Sequence, residues 1–370
     1  IICYPEIDIY TYNSCTNLGG NPYSYGSFSL KIIPYAEDYF DIYMLIVPSA
    51  MIFFSTLIIL NLFKPKKITE YFLVVLIIFS TPIMLGLERG QLDLLVFIIL
   101  YIVAVSRNIY FETVCLLFLS SLKFYPAICF GVYFNKKINT QFILTVLVFL
   151  ISILLIFYLD RENITKVLNL VKIYDNNGSI ERIGMYVFSY ELLPTLSSLT
   201  LLHLNNVEFN KEYFAHYSYF LTVFILTILY IYFLIKFFST KKYKLIIFNI
   251  ENFEDKLFIL SSLITITLFF LFQGMIYKEI YILGLISFLL KNIKNNYLFT
   301  KLIYYLIIIK FIGLTLLWLI QTTLLPTSLF FKGFNILNKG IIDSLLIFYI
   351  GFYLIVFFKQ FVNKNFKFLI

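Results

Sequence analysis

The sequence predicts an all-α, polytopic transmembrane protein. Three observations lead there. Of 370 residues, 61% are hydrophobic, including 43 Phe and 30 Tyr, more apolar surface than an ordinary soluble domain needs. The hydrophobic residues fall in runs of about 18 or more, the length at which a helix crosses a bilayer. The Lys and Arg residues sit in short clusters in alternate gaps between those runs, as positive-inside loops do. That placement also accounts for the net charge of +8. Spread over loops, it makes no single basic face, so membrane lipids rather than nucleic acid are the expected partner.

Residues 1–38 read as the first non-cytoplasmic segment: polar, acidic and Tyr-rich, with a turn signal at Gly19-Gly20-Asn21-Pro22-Tyr23. Residue 1 is Ile, and no signal-peptide n-region precedes the segment. A transmembrane helix ahead of it is the expectation. Residues 39–370 read as one transmembrane domain of about nine to eleven spans, with a short re-entrant or broken hairpin.

The first span, 39–63, ends at Lys64-Pro65-Lys66-Lys67, which marks the cytoplasmic side. Residues 68–87 return to the outer side and deliver Glu88-Arg89-Gly90-Gln91 there. Residues 92–106 go back to Arg107. Arg107 and Lys136-Lys137 both read as cytoplasmic. The stretch between them is too long for one helix and too short for two full spans of about 20 residues each. Two short helices turning at Lys123-Phe124-Tyr125-Pro126 satisfy the count, and Pro126 suits a helix start. Backbone freed at such a turn must line protein or a watery cavity. Lys123 then lies within the membrane or near its outer side.

Residues 141–159 lead out to Asp160-Arg161-Glu162 and a long outer loop at about 160–213. Its apolar patch, 186–204, lies in the interface or dips into the membrane. Spans follow at 215–238, 257–276, 280–290, 302–320 and 341–358. Lys241-Lys242, Lys244, Lys291, Lys294 and the tail lysines Lys359, Lys364 and Lys367 fall on the Lys64 side. The opposite side receives Tyr277-Lys278-Glu279 and the loop 321–340.

Cys115 and Cys129 fall in apolar runs and read as small core residues. Cys3 and Cys15 fall in the polar N-terminal segment and can pair if it faces an oxidising compartment, and no spacing rule fixes that connectivity. His203 and His216 are isolated, and nothing has metal-ligand spacing, so no metal is expected. Asn163-Ile164-Thr165 and Asn177-Gly178-Ser179 are glycosylation sequons by pattern only.

Ionisable groups at membrane depth are expensive and usually face a wet cavity or a partner. Glu88, Arg89, Gln91 and Asp93 crowd one boundary, Lys123 follows inside the next apolar segment, and Lys278 sits at a later seam. Each has a plain structural role open to it. Glu88 pairs with Arg89 or Asp93, Gln91 satisfies a helix end, Lys123 snorkels and Lys278 caps a loop beside Glu279.

The stretch ERGQLDLL, with SLKFYPA in the next apolar segment, resembles the G-N-x-[DN]-x-L and L-K-x-x-P signature of glycosyltransferase family 87. That resemblance implies a GT-C-like fold and a hexosyltransferase, of the mannosyltransferase kind, using a polyprenyl-phosphate sugar as donor. It implies a lipid- or glycan-linked acceptor, no separate cofactor, and an active site on the outer face of a bacterial plasma membrane. Asp8, Tyr12 and Gly20-Asn21-Pro22-Tyr23 are similar to the family's D-x-x-x-Y and G-x-P-Y stretch, which makes Asp8 the catalytic base. Glu37, Asp38 and Asp41 are its rivals as solvated loop acids. Gln91 stands where Asn is usual, and Asp93 matches. Lys123 takes the Lys of L-K-x-x-P, and Tyr277-Lys278 falls in a stretch resembling N-x-x-Y-R-L-I, with Lys in place of Arg. By this resemblance Glu88, Arg89, Gln91, Asp93, Lys123, Tyr277 and Lys278 bind substrate. The chemistry needs a carboxylate to take the acceptor proton and cations to hold the leaving phosphate. Lys at 278 supplies a point charge where Arg would be bidentate.

Two rivals remain. An O-antigen-type polymerase or ligase relies on outer-loop Arg, and only Arg161 and Arg182 lie in the long outer loop. A lipid-linked-sugar transporter or flippase should show repeated halves or paired broken helices, and the chain offers a single broken hairpin.

Overall fold

Several apolar runs that read as full spans fold as short helices joined end to end. The computed structural model describes residues 36–88, 92–135, 138–162, 248–270, 274–293, 298–323 and 342–365, with 165, 182–183, 228, 231–232 and 235 besides. Asp8, Arg89, Gln91, Cys3, Cys15, His203, His216, Asn163, Asn177 and the patch 186–204 lie outside the described residues.

In order, α1 (Ala36–Phe63), α2 (Ile68–Ile78), α3 (Thr81–Glu88), α4 (Leu92–Val105) and α5 (Ile109–Leu122) lead into a 3-10 run, η1 (Tyr125–Asn135). Then come α6 (Thr140–Leu159), β1 (Arg182–Ile183), α7 (Phe253–Phe270) and β2 (Gly274–Met275). A second 3-10 run, η2 (Ile276–Leu285), leads into α8 (Ile286–Ile293), α9 (Leu298–Thr323) and α10 (Asp343–Asn365). Among the described residues the regular structure is thus helical apart from one antiparallel pair, in which Arg182 lies opposite Met275. Among the described residues, three helices are long and apolar enough to cross a membrane: Ile46–Phe63, Thr140–Leu159 and Asp343–Asn365. On α6, Ile151 and Leu154 are about two-thirds exposed, and Ile143 and Leu147 half so. A contiguous apolar face of that kind suits lipid better than water.

Two expected spans are built differently. Residues 68–87 break into α2 and α3 at Phe79-Ser80. Ser80 Oγ donates to the Ile77 carbonyl at 2.6 Å, and the Ser80 carbonyl accepts the Ile83 and Met84 N–H groups, both at 3.0 Å. Pro82 suits the first turn of the new helix, where its missing N–H costs nothing. Residues 280–290 are divided between η2 and α8.

The hairpin after Arg107 resolves its residue count through helix type. At 14 residues each, α4 and α5 rise about 21 Å, short of a hydrocarbon core of about 30 Å. The 11 residues of η1 climb about 2.0 Å each, so this leg reaches about 22 Å. The turn falls at Lys123-Phe124, with Lys123 extended (φ −142, ψ 142) and its N–H still bonded to the Leu119 carbonyl. Asn108 caps the start of α5 by accepting the Tyr110 and Phe111 N–H groups.

Polar contacts tie the basic gaps together at one end of the molecule. Lys64 lies 3.8 Å from Glu254, Lys291 pairs with Asp255 at 2.7 Å, and Lys256 donates to the Ser106 carbonyl. Ile138 N–H donates to Asn365 Oδ1, and Phe248 N–H to Gln360 Oε1.

Helix α7 is the hub. It packs against η1, η2, α4, α8 and α10, and Leu257, Phe258, Ile259, Leu260 and Ile264 are fully buried. Cys129 is buried there, its thiol facing the Leu260 carbonyl at 3.6 Å, and Cys115 is half-buried. Helix α7 and η2 pack tightly at Gly284, where an added Cβ would lie 1.9 Å from Ser261 Oγ and 2.9 Å from its Cβ. Gly284→Ala is therefore expected to destabilise the fold by about 1–3 kcal/mol, the usual cost of overpacking. Adding Ser261→Gly should restore most of it. Thermal unfolding in detergent reads both, and an unchanged melting temperature in the single variant refutes the close contact.

Candidate functional site

The equal lengths of α4 and α5 bring two ionisable residues face to face. Asp93 lies in the first turn of α4, and Lys123 caps the end of α5. A carboxylate at a helix N-terminus and an ammonium at a C-terminus both complement the helix dipole. Lys123 Nζ donates to Asp93 Oδ2, and the two form a buried ion pair, 6% and 1% exposed. The Tyr125 hydroxyl, at the start of η1, donates to Asp93 Oδ1. Tyr281, from η2, sets its hydroxyl 2.6 Å from that of Tyr125 and 3.1 Å from Oδ1. Both carboxylate oxygens therefore have donors, which offsets a desolvation cost of several kcal/mol per buried charge.

Lys278 completes the group. Its ammonium lies 5.9 Å from the centre of the Tyr125 ring, and Lys123 Nζ lies 5.8 Å from the same ring. Lys278 is half-buried. Among the described residues no carboxylate lies within ion-pair distance of it. Among the described residues the group thus holds two ammonium groups and one carboxylate, of which only Lys123 is paired with Asp93.

The next residue turns the other way. Glu279 Oε2 lies 3.0 Å from Lys310 Nζ, which also pairs with Asp343 Oδ1 at 2.7 Å. Lys310 is fully buried in α9. Here, among the described residues, two carboxylates share one ammonium. Lys278, Glu279 and Asp343 line one cleft of about 20 Å³, room for roughly one water. Adjacent residues of η2 therefore join two buried ionic clusters.

Of the candidates read from sequence, Asp93 and Lys123 meet directly, and Lys278 meets them across Tyr125. Glu88 is the last residue of α3, and Tyr277 is the second residue of η2. Lys123 was expected to hold phosphate, but its ammonium is engaged by Asp93, and Asp93 by three side-chain donors. Lys278 is the cation with charge to spare. Sequence reading did not single out Tyr281, Lys310 or Asp343, and used Glu279 only as a neighbour of Lys278. Lys310 had a signal: a lone Lys in the run Ile307-Ile308-Ile309-Lys310-Phe311 is a charge at membrane depth and calls for a partner. Nothing local marked Tyr281.

No protein-family model, no curated protein and no solved structure matches this chain. The functional reading rests on the geometry and the residue chemistry.

Proposed function

We propose that the chain is a polytopic integral-membrane glycosyltransferase of GT-C-like architecture. It moves a hexose, mannose or a similar sugar, from a polyprenyl-phosphate donor to a lipid- or glycan-linked acceptor on the non-cytoplasmic face of the plasma membrane. The observation that carries this reading is Lys278, an ammonium with no carboxylate partner among the described residues, beside the neutralised Asp93–Lys123 pair. A lipid phosphate would supply the missing negative charge, and a preorganised cation stabilises the charge that builds on it as the sugar leaves. In the reaction an acceptor hydroxyl gives its proton to a carboxylate, assigned to Asp8 by the resemblance. The acceptor oxygen bonds to the sugar C1, the C1–O bond to phosphate breaks, and polyprenyl phosphate departs with both bonding electrons.

Purified protein incubated with radiolabelled polyprenyl-phosphate mannose or glucose and a glycolipid extract should form a labelled product. Lys278→Gln is expected to lower transfer by about 10²-fold, the usual cost of losing one charge-stabilising donor, with helicity retained. Asp8→Ala is expected to abolish transfer and leave folding intact. Full activity in the Lys278 variant refutes the phosphate role, and full activity in the Asp8 variant refutes the base.

A further inference from the structure

A second polar centre lies at the opposite end of the bundle, where the basic gaps gather. Glu112, in the first turn of α5, is 1% exposed. Its Oε1 pairs with Lys256 Nζ at 2.8 Å, and its Oε2 accepts the Tyr133 hydroxyl at 3.0 Å. This network forms the floor of a cavity of about 780 Å³, within the range of small-molecule sites. Its chemistry is one-sided. Among the described lining residues, three cations, Arg107, Lys256 and Lys364, stand against two carboxylates, Glu112 and Glu251.

The carboxamides add to this. Asn139 Oδ1 accepts the Phe142 N–H at 2.8 Å, and Asn249 Oδ1 accepts the Glu251 N–H at 3.1 Å. With its oxygen spent on backbone, each presents mainly its NH₂ as a donor. The cavity is therefore rich in donors and cations. Its walls continue into bilayer-type surface: Tyr110 and Phe111 on α5, and Ile143 and Leu144 on α6, are exposed apolar neighbours of lining residues.

We propose that this cavity binds a phosphate-bearing group, separate from the Lys278 site at the other end of the bundle. Arg107 and Lys364 are its cations at the end of α4 and in the last turn of α10. Asn139 and Asn249 donate to phosphate or hydroxyl oxygens, and the Glu112–Lys256 pair is the rigid floor. A phospholipid headgroup reaches the cavity from the apolar rim, and a soluble phosphate reaches it from water. The recognition chemistry is the same for both.

The test uses the full chain in detergent micelles, titrated with phosphatidylglycerol, with phosphatidylcholine or with inorganic phosphate. Bound lipid is read by native mass spectrometry, and protection by melting temperature. The double variant Arg107→Gln, Lys364→Gln should bind about a hundredfold more weakly, since each charged hydrogen bond contributes roughly tenfold. Glu251→Gln removes a negative charge from the lining and should tighten binding, an effect misfolding cannot imitate. Phosphatidylglycerol binding that responds to both changes supports a lipid source. Inorganic phosphate binding that responds to both, with lipid indifferent, supports a soluble source. The proposal is overturned if neither ligand binds, or if binding ignores both sets of variants.

Discussion

Lys310→Met is expected to destabilise the protein strongly. Lys310 Nζ is the ammonium shared by Glu279 and Asp343, at 3.0 and 2.7 Å, and it is fully buried. Met nearly preserves the side-chain volume, so packing is not what changes. Two buried carboxylates lose the ammonium they share. Breaking a buried ion pair from one side costs about 3–5 kcal/mol, and here one truncation breaks two. The measurement is thermal or denaturant unfolding in detergent. Neutralising the acids as well, with Glu279→Gln and Asp343→Asn on the Lys310→Met background, should recover most of the loss, because the uncompensated charge has gone. If Lys310→Met melts with the parent protein, the triad does not hold α9, η2 and α10 together.

Asp93→Ala is the second large effect, expected at about 3–5 kcal/mol on the same grounds. It removes the carboxylate that pairs with the Lys123 ammonium, 6% exposed, and that accepts from the Tyr125 and Tyr281 hydroxyls. Two further variants separate stability from function. Asp93→Leu with Lys123→Met replaces the pair by apolar groups, and such replacements are often neutral or better for stability. If the network only holds the hairpin, the double variant should fold and transfer sugar normally. If it also sets Tyr125 and Lys278 for the donor, the double variant should fold and lose transfer, while Lys278→Gln alone keeps stability. Asp93→Ala unfolding with the parent protein would falsify the structural half of this argument.

Much of the fold was legible in the residues. Helices α4 and α5 begin and end where polar residues interrupt apolar runs, and Asn108 is a recognisable cap. The turn at Lys123-Phe124 followed from counting residues between Arg107 and Lys136. The break at Ser80 carried its own signal, Ser-Thr-Pro, but hydropathy averaged over a span hides it. The 3-10 windings of η1 and η2 had no local signal, because they fit α5 and α7 rather than satisfy propensity. Asp93, Lys123 and Lys278 stood out singly as costly charges. Their grouping did not, since Asp93 and Lys278 are far apart in the chain and Tyr281 is one Tyr among 30.

By itself, then, the sequence determined the solvent this chain is built for, the runs that become helix and the end of the bundle that gathers the lysines. Those properties are sums over single residues, and a sum can be read along a chain. Tertiary structure alone decided that Lys123 is matched by Asp93, that Lys310 is shared by Glu279 and Asp343, and that Lys278 is left over. Charge pairing depends on separations of a few ångströms in a medium of low polarity, and such distances exist only once the helices have packed.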